Sequence, residues 1–488
     1  MLFNSIEYFV FLTLTVLIYW ILPHNWRKYF LLLASAFFYL SWSFAFLIHF
    51  AAVILINYVL FQPIVHRQSR RFLVLAIVIN LINLALFKYF YFVLDNLLEF
   101  VDSAFLSAIA NKESDFIPEI ILPLAISFYT FQIIALHVDA YRGQLSKTTS
   151  AWNFALFICF FPQLIAGPIV RHDQLLPQLD QQKDPERVDV TRGLGLIASG
   201  IIKKVFIADF LAEMVITVLH NPSTYANSFV AVAGFFFMIQ VYCDFSAYTD
   251  FARGSALFLG YDLPINFRGP WFALSFQEHW RRWHISLSTW LRDYLYIGLG
   301  GSRSGEKRTY VNLFLTFFLG GVWHGAGWGF AVWGSVHGLL LSLERYMYRR
   351  TGWEPAGWGR RDGEITSDYR RRSVYNVFKW VLMMMLMWFA ALFFYAGVDA
   401  TLVQGILKGV FVPNPEGARY GLTSQHALVI VLFLFLHWVE YNDYFPGMDW
   451  QAIARRYAPV WAPLGALGML FLSSWKAGGD LPFVYFQF

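Results

Sequence analysis

Charge is scarce in this 488-residue chain, where 14% of the residues are charged and 58% are hydrophobic. No polar stretch is long enough to fold as a separate soluble domain, and the net charge of +5 is carried mainly by loops. That balance excludes nucleic acid as a partner and makes charge a reporter of membrane topology. Cysteine is scarcer still. Cys159 and Cys243 both lie in apolar segments, at no metal-ligand spacing, so a disulfide framework and a thiolate metal site are excluded and both read as packing residues. HExxH, a glycine-rich phosphate loop, a GxSxG elbow and CxxC are missing too, which argues against a zincin, a nucleotide-driven pump and a serine hydrolase. There is no internal repeat, so the inverted-repeat signature of many secondary transporters is absent.

Apolar sequence, by contrast, is abundant, and it comes in runs of about 20 residues, the length at which a helix crosses a bilayer. The fold class is therefore all-α: a polytopic membrane protein of roughly ten to twelve membrane helices with re-entrant or interfacial elements. A single transmembrane domain is expected over 1–488, with regular amino-terminal spans over 1–150, a core over 151–341, a cytoplasmic loop over 342–375 and carboxy-terminal spans over 376–488. The first spans are expected at 7–22, 28–43, 45–64, 72–97 and 117–137, with further apolar runs at about 193–217, 228–243, 311–341, 376–398, 427–441 and 458–475, and the first span should stay in the membrane because it lacks a basic leader and a small-residue cleavage site. HNWRK at 24–28 and HRQSRR at 66–71 are basic, whereas 41–44 and 95–115 are neutral or acidic, which places the amino terminus outside. Pro162, Gly167 and Pro168 interrupt the next apolar run, and the polar stretch Arg171–Arg192 follows. Broken backbone at membrane depth must be satisfied by protein or water, so a cavity is expected in this part of the chain. Glu344–Arg372, with eight arginines against five acids, reads as a cytoplasmic loop near lipid headgroups.

Three stretches carry chemistry. GGVWHGAGWGFAVWGSVHG, 320–338, sets His324 between Trp323 and Gly325 in a helix-length apolar run. An ionisable side chain there is expensive and usually functional; the bland reading is a packing histidine bonded to a carbonyl. His337 lies thirteen residues further on, about 20 Å of rise in one helix, and so ranks second, being too far to serve the same atom. FQEHWRRWHISLSTWLRDYLYIGLGG, 276–301, reads as one helix up to its glycines, with Gln277, Arg281, His284 and Ser288 on one face. That face either lines an aqueous pocket, with His284 as the partner of His324, or belongs to an interfacial helix whose arginines snorkel. In VYCDFSAYTDFARGSALFLGYDLPINFRGP, 241–270, Asp250 and Arg253 are spaced for a structural ion pair, and Asn266 sits in the loop leading to the polar-faced helix; this segment should hold the pocket in shape. His49, His137 and His437 read as packing residues, and His24, His66, His172 and His426 as loop residues. Intramembrane histidines and interrupted helices also suit a proton-coupled transporter, and a scaffold for an export complex is a third reading.

These residues resemble the membrane-bound O-acyltransferases, in particular the branch that acetylates alginate and its relatives in teichoic-acid D-alanylation. The likeness runs through LPLAISFYTFQIIALHVDAYRG at 122–143, FFPQLIAGPIVR at 160–171, DFSAYTDFA at 244–252, LPINFRGPW at 263–271, RRWHISLSTWLRDYLYIGLGG at 281–301, GVWHGAGW at 321–328 and FVYFQF at 483–488. It implies helices around a central funnel or tunnel in the bacterial cytoplasmic (inner) membrane, with a periplasmic amino terminus. It places the family's essential histidine at His324 and its second polar position at His284. The implied reaction moves an acyl group, most simply acetyl, from a cytoplasmic thioester to a hydroxyl. The thioester, acetyl-coenzyme A or an acylated carrier, is a substrate, and no bound cofactor or metal is implied. The hydroxyl belongs to an exported polysaccharide such as alginate or to a periplasmic relay protein, with periplasmic acetyltransferases and membrane lipid as partners. In that chemistry His324 is the general base, His284 or Arg281 steadies the oxyanion, and Gln277, Ser288, Trp323, Asp250 and Asn266 support the substrate.

Overall fold

The computed structural model describes residue 1 and residues 3–101, 104–110, 120–146, 149–351 and 373–441. The expected span near 458–475, the aromatic end at 483–488 and most of the arginine-rich loop lie outside the described residues. Within them the architecture is all-α, with a single isolated bridge between Tyr225 and Ala418 in place of any strand. Two compact units are formed, Met1–Asp189 with Ser255–Pro264 and Val190–Gly254 with Ile265–Phe488.

The first unit holds α1 (Ile6–Ile21), α2 (His24–Leu40), α3 (Phe44–Arg67), α4 (Arg70–Lys88), α5 (Phe90–Leu98), α6 (Ala104–Ala110), α7 (Ile126–Tyr141), α8 (Ala151–Cys159), α9 (Phe161–Leu164) and α10 (His172–Asp180). Ser5 and Ser43 start α1 and α3, their hydroxyls accepting from the Tyr8 and Phe46 amides. Leu33, Phe37, Leu55, Val59 and Ile82 are left exposed, as a lipid-facing surface requires. Inside, Asn57 and Asn80 donate to each other's side-chain carbonyls at 3.2 and 2.7 Å, a two-way amide pair joining α3 to α4. The expected span at 72–97 is two helices divided at Tyr89, and in the one expected at 117–137 the described residues, from 120 on, become helical at Ile126, after Ala125 with φ +62°. The interrupted stretch after Cys159 is buried. Protein meets its polar groups there: the Phe161 amide donates to Ser35 Oγ at 3.1 Å, and the Gln163 side chain reaches back to donate to the Phe157 carbonyl at 2.7 Å.

The second unit comprises α11 (Val190–Ile201), a π-helical turn (Ile202–Asp209), α12 (Phe210–His220), α13 (Asn227–Phe258, whose end from Ser255 belongs to the first unit), α14 (Phe276–Arg282), α15 (Ile285–Trp290), a second π turn (Leu291–Tyr296), α16 (Glu306–His324), α17 (Trp328–Thr351), α18 (Ser373–Tyr395), α19 (Ala400–Phe411) and α20 (Ser424–Tyr441). Among the described residues α3, α4, α13, Asn376–Tyr395 of α18 and α20 are long and apolar enough to cross a membrane. This is a multi-pass membrane protein. Of these spans α13 is the most enclosed, 61% buried against 17–33% for the others.

That burial is compatible with the acids of α13 because each has a cation. Asp250 takes Lys203 at 2.8 Å and the Ser199 hydroxyl at 2.9 Å, and Asp244 takes Lys204 at 2.7 Å. Lys203 also contacts Glu440 of α20, to which Tyr242 donates its hydroxyl. The expected i, i+3 pair of Asp250 with Arg253 is thus replaced by a bond to the π turn, where the extra residue per turn brings two consecutive lysines towards α13. The ladder fastens α13 to its neighbours.

Candidate active site

The 311–341 run is not one helix. α16 ends at His324, and Gly325–Gly327 reverses the chain into α17. Two close approaches make the reversal a matter of space: a Cβ on Gly325 would lie 2.1 Å from the Phe330 ring, and one on Gly334 would lie 2.4 Å from the Phe317 carbonyl and 2.9 Å from Gly321 Cα. The hairpin corrects the expectation that His324 and His337 point to separate places. Folding back on itself, the chain brings both to one cavity of about 40 Å³.

His324 and His337 are 5% and 1% exposed, and the Trp333 ring packs against both, 5.0 Å from one imidazole and 4.7 Å from the other. Trp280 packs edge-on against both Trp333 (5.8 Å) and His337 (5.2 Å). Met387, Ala391 and Phe394 of α18 close another side, with Phe394 at 5.2 Å from the His324 ring. A third imidazole, His279, lines the same cavity. Its Nδ1 donates to the Pro270 carbonyl at 3.3 Å, so its Nε2 carries the lone pair. Sequence reasoning missed His279, although it stands four residues before Trp283 and so shares a helical face with it. Reading 276–301 as one helix put the polar face, and the attention, elsewhere.

That helix is broken too. Its first piece, α14, starts on the Ser275 hydroxyl, which accepts the Glu278 amide at 3.0 Å, and on the Glu344 carboxylate, whose two oxygens accept the Phe276 and Gln277 amides at 3.0 Å each. It stops at Trp283, and His284 has φ +41°, the left-handed region that a side chain with a Cβ adopts only when its surroundings compel it. Asn266 supplies the compulsion. Its side-chain oxygen accepts from the Ser286 amide (3.0 Å), the Ser286 hydroxyl (2.9 Å) and His284 Nδ1 (3.3 Å), and its main-chain carbonyl accepts the Ile285 amide (2.9 Å).

The break scatters the residues expected on one face. His284 is fully buried and turned onto Asn266 and edge-on to Phe245, 4.6 Å away, whereas the cavity is lined by His279 from the preceding piece. Burial pushes both imidazoles down to about 3, so each is neutral at ordinary pH. Arg281 is exposed, and it is not among the residues that line this cavity. Ser288 donates its hydroxyl to the Trp283 carbonyl at 3.1 Å, tying the broken turn, and the Gln277 side-chain oxygen is buried with no hydrogen-bond partner among the described residues. Trp323 packs 5.0 Å from His324. Asn266→Ala removes the acceptor of three donors at a strained turn, a loss of about 2–4 kcal/mol. The solubilised protein is expected to unfold several degrees lower in a thermal melt, with Gln277→Ala nearly unchanged.

The sequence profile of the membrane-bound O-acyltransferase family matches residues 18–396, most of the chain and all of α14 to α17. This chain belongs to the membrane-bound O-acyltransferase family. Similar curated proteins include the probable alginate O-acetylase AlgI of Pseudomonas aeruginosa, 40% identical over 350 residues that cover 70% of this chain and 65% of that one. The Pseudomonas putida protein of the same name is 34% identical over 99% of both chains. The peptidoglycan O-acetyltransferase of Helicobacter pylori is 37% identical over 71% of this chain and 70% of its own. The chain is thus an acyltransferase, and a group transfer is the chemistry that the cavity has to serve.

Proposed function

We propose that the protein transfers an acetyl group from a thioester reaching it on the cytoplasmic side, acetyl-coenzyme A or an acylated carrier, to a hydroxyl of an exported polysaccharide or of a periplasmic relay protein. His324 is the general base. The observation that carries this reading is a buried histidine at the tip of a glycine-packed hairpin, lining a cavity of about 40 Å³ in an O-acyltransferase. The acetyl group and the polymeric acceptors in the relatives' names support the same transferred group and the same class of acceptor, and the basic loops at 24–28 and 66–71 support a cytoplasmic-membrane protein with a periplasmic amino terminus.

His324 takes the proton of the acceptor hydroxyl as its oxygen attacks the thioester carbonyl carbon. The tetrahedral adduct collapses with cleavage of the carbon–sulfur bond, and the imidazolium returns the proton to the departing thiolate. One hydroxyl and one thioester become one ester and one thiol, with no net proton taken up. His284, held by Asn266, is a positioning residue that fixes the turn between α14 and α15. A proton-coupled transporter draws no support from the family, and a scaffold would need no ionisable group in the cavity.

The test is the alkali-labile acetyl content of the exported polysaccharide in a host strain deleted for this protein. Restoration by the wild-type gene is expected. Acetylation that survives the deletion overturns the reading, and flux of protons in proteoliposomes without any thioester returns the transporter.

A further inference from the structure

Two helices make much of the cavity wall, and a carboxylate ties them together. Trp333, His337 and Glu344 lie at i, i+4 and i+11 of α17 and so share a face. Against that face lies α14: its Trp280 packs on Trp333 and His337, and His279 beside it lines the cavity. One turn before Trp280, the Phe276 and Gln277 amides donate to the two oxygens of Glu344, at 3.0 Å each. Each amide thus needs one oxygen. A protonated carboxyl turns a hydrogen towards one of the amide hydrogens, and it loses the charge that strengthens both bonds. Glu344 is half-buried in the last two turns of α17, outside the apolar spans. Desolvation raises its carboxyl to about 7 against the pull of the two amides; Glu278 on α14 adds to the rise, and Lys379 on α18 opposes it. The group that holds the two helices together therefore changes charge near neutral pH.

We propose that Glu344 is a positioning residue for the acyl transfer: its ionised carboxylate holds α14 on α17, and with it His279 and Trp280 in the cavity wall, so that transfer slows when the carboxylate takes up a proton. The inference rests on the acyl-transfer reading and adds a control to it, at the end of α17 that leads into the arginine-rich loop. Glu344 acts through α14, not on the substrate. When one of the two amides loses its acceptor, the start of α14 shifts and carries the Trp280 ring away from His337 and Trp333. A misplacement of about 1 Å can cost an enzyme about 10²-fold, and the second bond limits the loss to part of that. The sign follows directly: falling pH removes the carboxylate and lowers activity, and rising pH restores both.

The experiment follows transfer of radiolabel from acetyl-coenzyme A into alkali-labile ester in washed host membranes from about pH 5.5 to about pH 8, with an ionophore to equalise pH across them. Wild type, Glu344→Gln, Ser275→Ala, Lys379→Glu and His324→Gln are compared, each normalised to folded protein. Glu344→Gln, neutral and of the same shape, is expected to lower kcat about 10- to 30-fold at the upper pH and to match wild type within about threefold at the lower, where wild type has lost the same charge. Protonation of the general base affects both proteins and cancels in their ratio. Ser275→Ala removes the acceptor of the Glu278 amide and is the control for a weakened helix start; its ratio to wild type is expected to be the same at both pH values. Lys379→Glu leaves the carboxylate in place and is expected to carry the fall in activity to higher pH. A kcat for Glu344→Gln within about threefold of wild type at the upper pH overturns the proposal, as does a deficit equal at both pH values, which makes the carboxylate a structural cap alone. So does a fall in Lys379→Glu at the wild-type pH, which decides the matter even where Glu344→Gln does not accumulate. No labelled ester with wild type, or full activity in His324→Gln, removes the acyl-transfer reading itself.

Discussion

His324→Gln is expected to abolish measurable acetylation, with transfer reduced at least 10²- to 10⁴-fold, while the protein accumulates in the membrane at normal level. The magnitude is that of a lost general base, about 3–5 kcal/mol of barrier. Glutamine fills much of the imidazole's volume and keeps a hydrogen-bonding group against Trp333 and Phe394, so packing in the cavity is largely retained. What it cannot do is hold a proton between attack on the carbonyl and departure of the thiolate. The check is the acetyl ester content of the exported polysaccharide beside a membrane immunoblot. Near-normal ester content at normal protein level would show that the base is another group, and His279, with its lone pair in the same cavity, would be the first to examine.

Gly334→Leu is expected to have an equally large effect by a different route, loss of the folded protein. Its Cβ would lie 2.4 Å from the Phe317 carbonyl oxygen and 2.9 Å from Gly321 Cα, both backbone atoms of α16 that no rotamer change can move. The two helices would have to separate, and with them His324, Trp333 and His337. The cost is about 3 kcal/mol or more. The expected result is a sharp fall in membrane-inserted protein and no acetylation, measured by immunoblot and by a thermal melt of whatever can be solubilised. Gly195→Ala is the matched control, because nothing lies within 4 Å of its added Cβ in α11; it is expected to be neutral or to stabilise slightly. Equal loss from both substitutions would mean that helix packing at Gly334 is not what the glycine secures.

The general plan was legible in the chain because the bilayer reduces folding to a length rule: apolar runs of about 20 residues become helices, and an ionisable residue among them needs a reason. On that ground α3, α4, α13 and α20 fall on expected runs, and His324 was singled out for its apolar setting. The motifs around His284 and His324 carried the family as well. The partners were not legible. Along the sequence His337 ranks second because a helix rises 1.5 Å per residue, which holds for a straight helix and not for a hairpin. The turn was signalled by Gly325 and Gly327, but glycine is common inside membrane helices, and only the nearness of Phe330 and Gly397 shows that these glycines are spent on a reversal.

The same limit explains His279, His284 and Asp250. A left-handed residue at the end of a helix is normally announced by glycine, and His284 has a Cβ; the compensation comes from Asn266, eighteen positions earlier, which no periodicity relates to it. Asp250 and Arg253 have the spacing of an ion pair, yet Lys203 wins because a π turn, invisible in composition, brings it closer. Sequence by itself determined the all-α membrane class, the segments that matter and the acyltransferase chemistry, since these depend on hydropathy, residue type and contiguous motif. Tertiary structure alone decided which imidazoles share a cavity, because two helix breaks at Gly325–Gly327 and His284 convert separation along the chain into proximity in space.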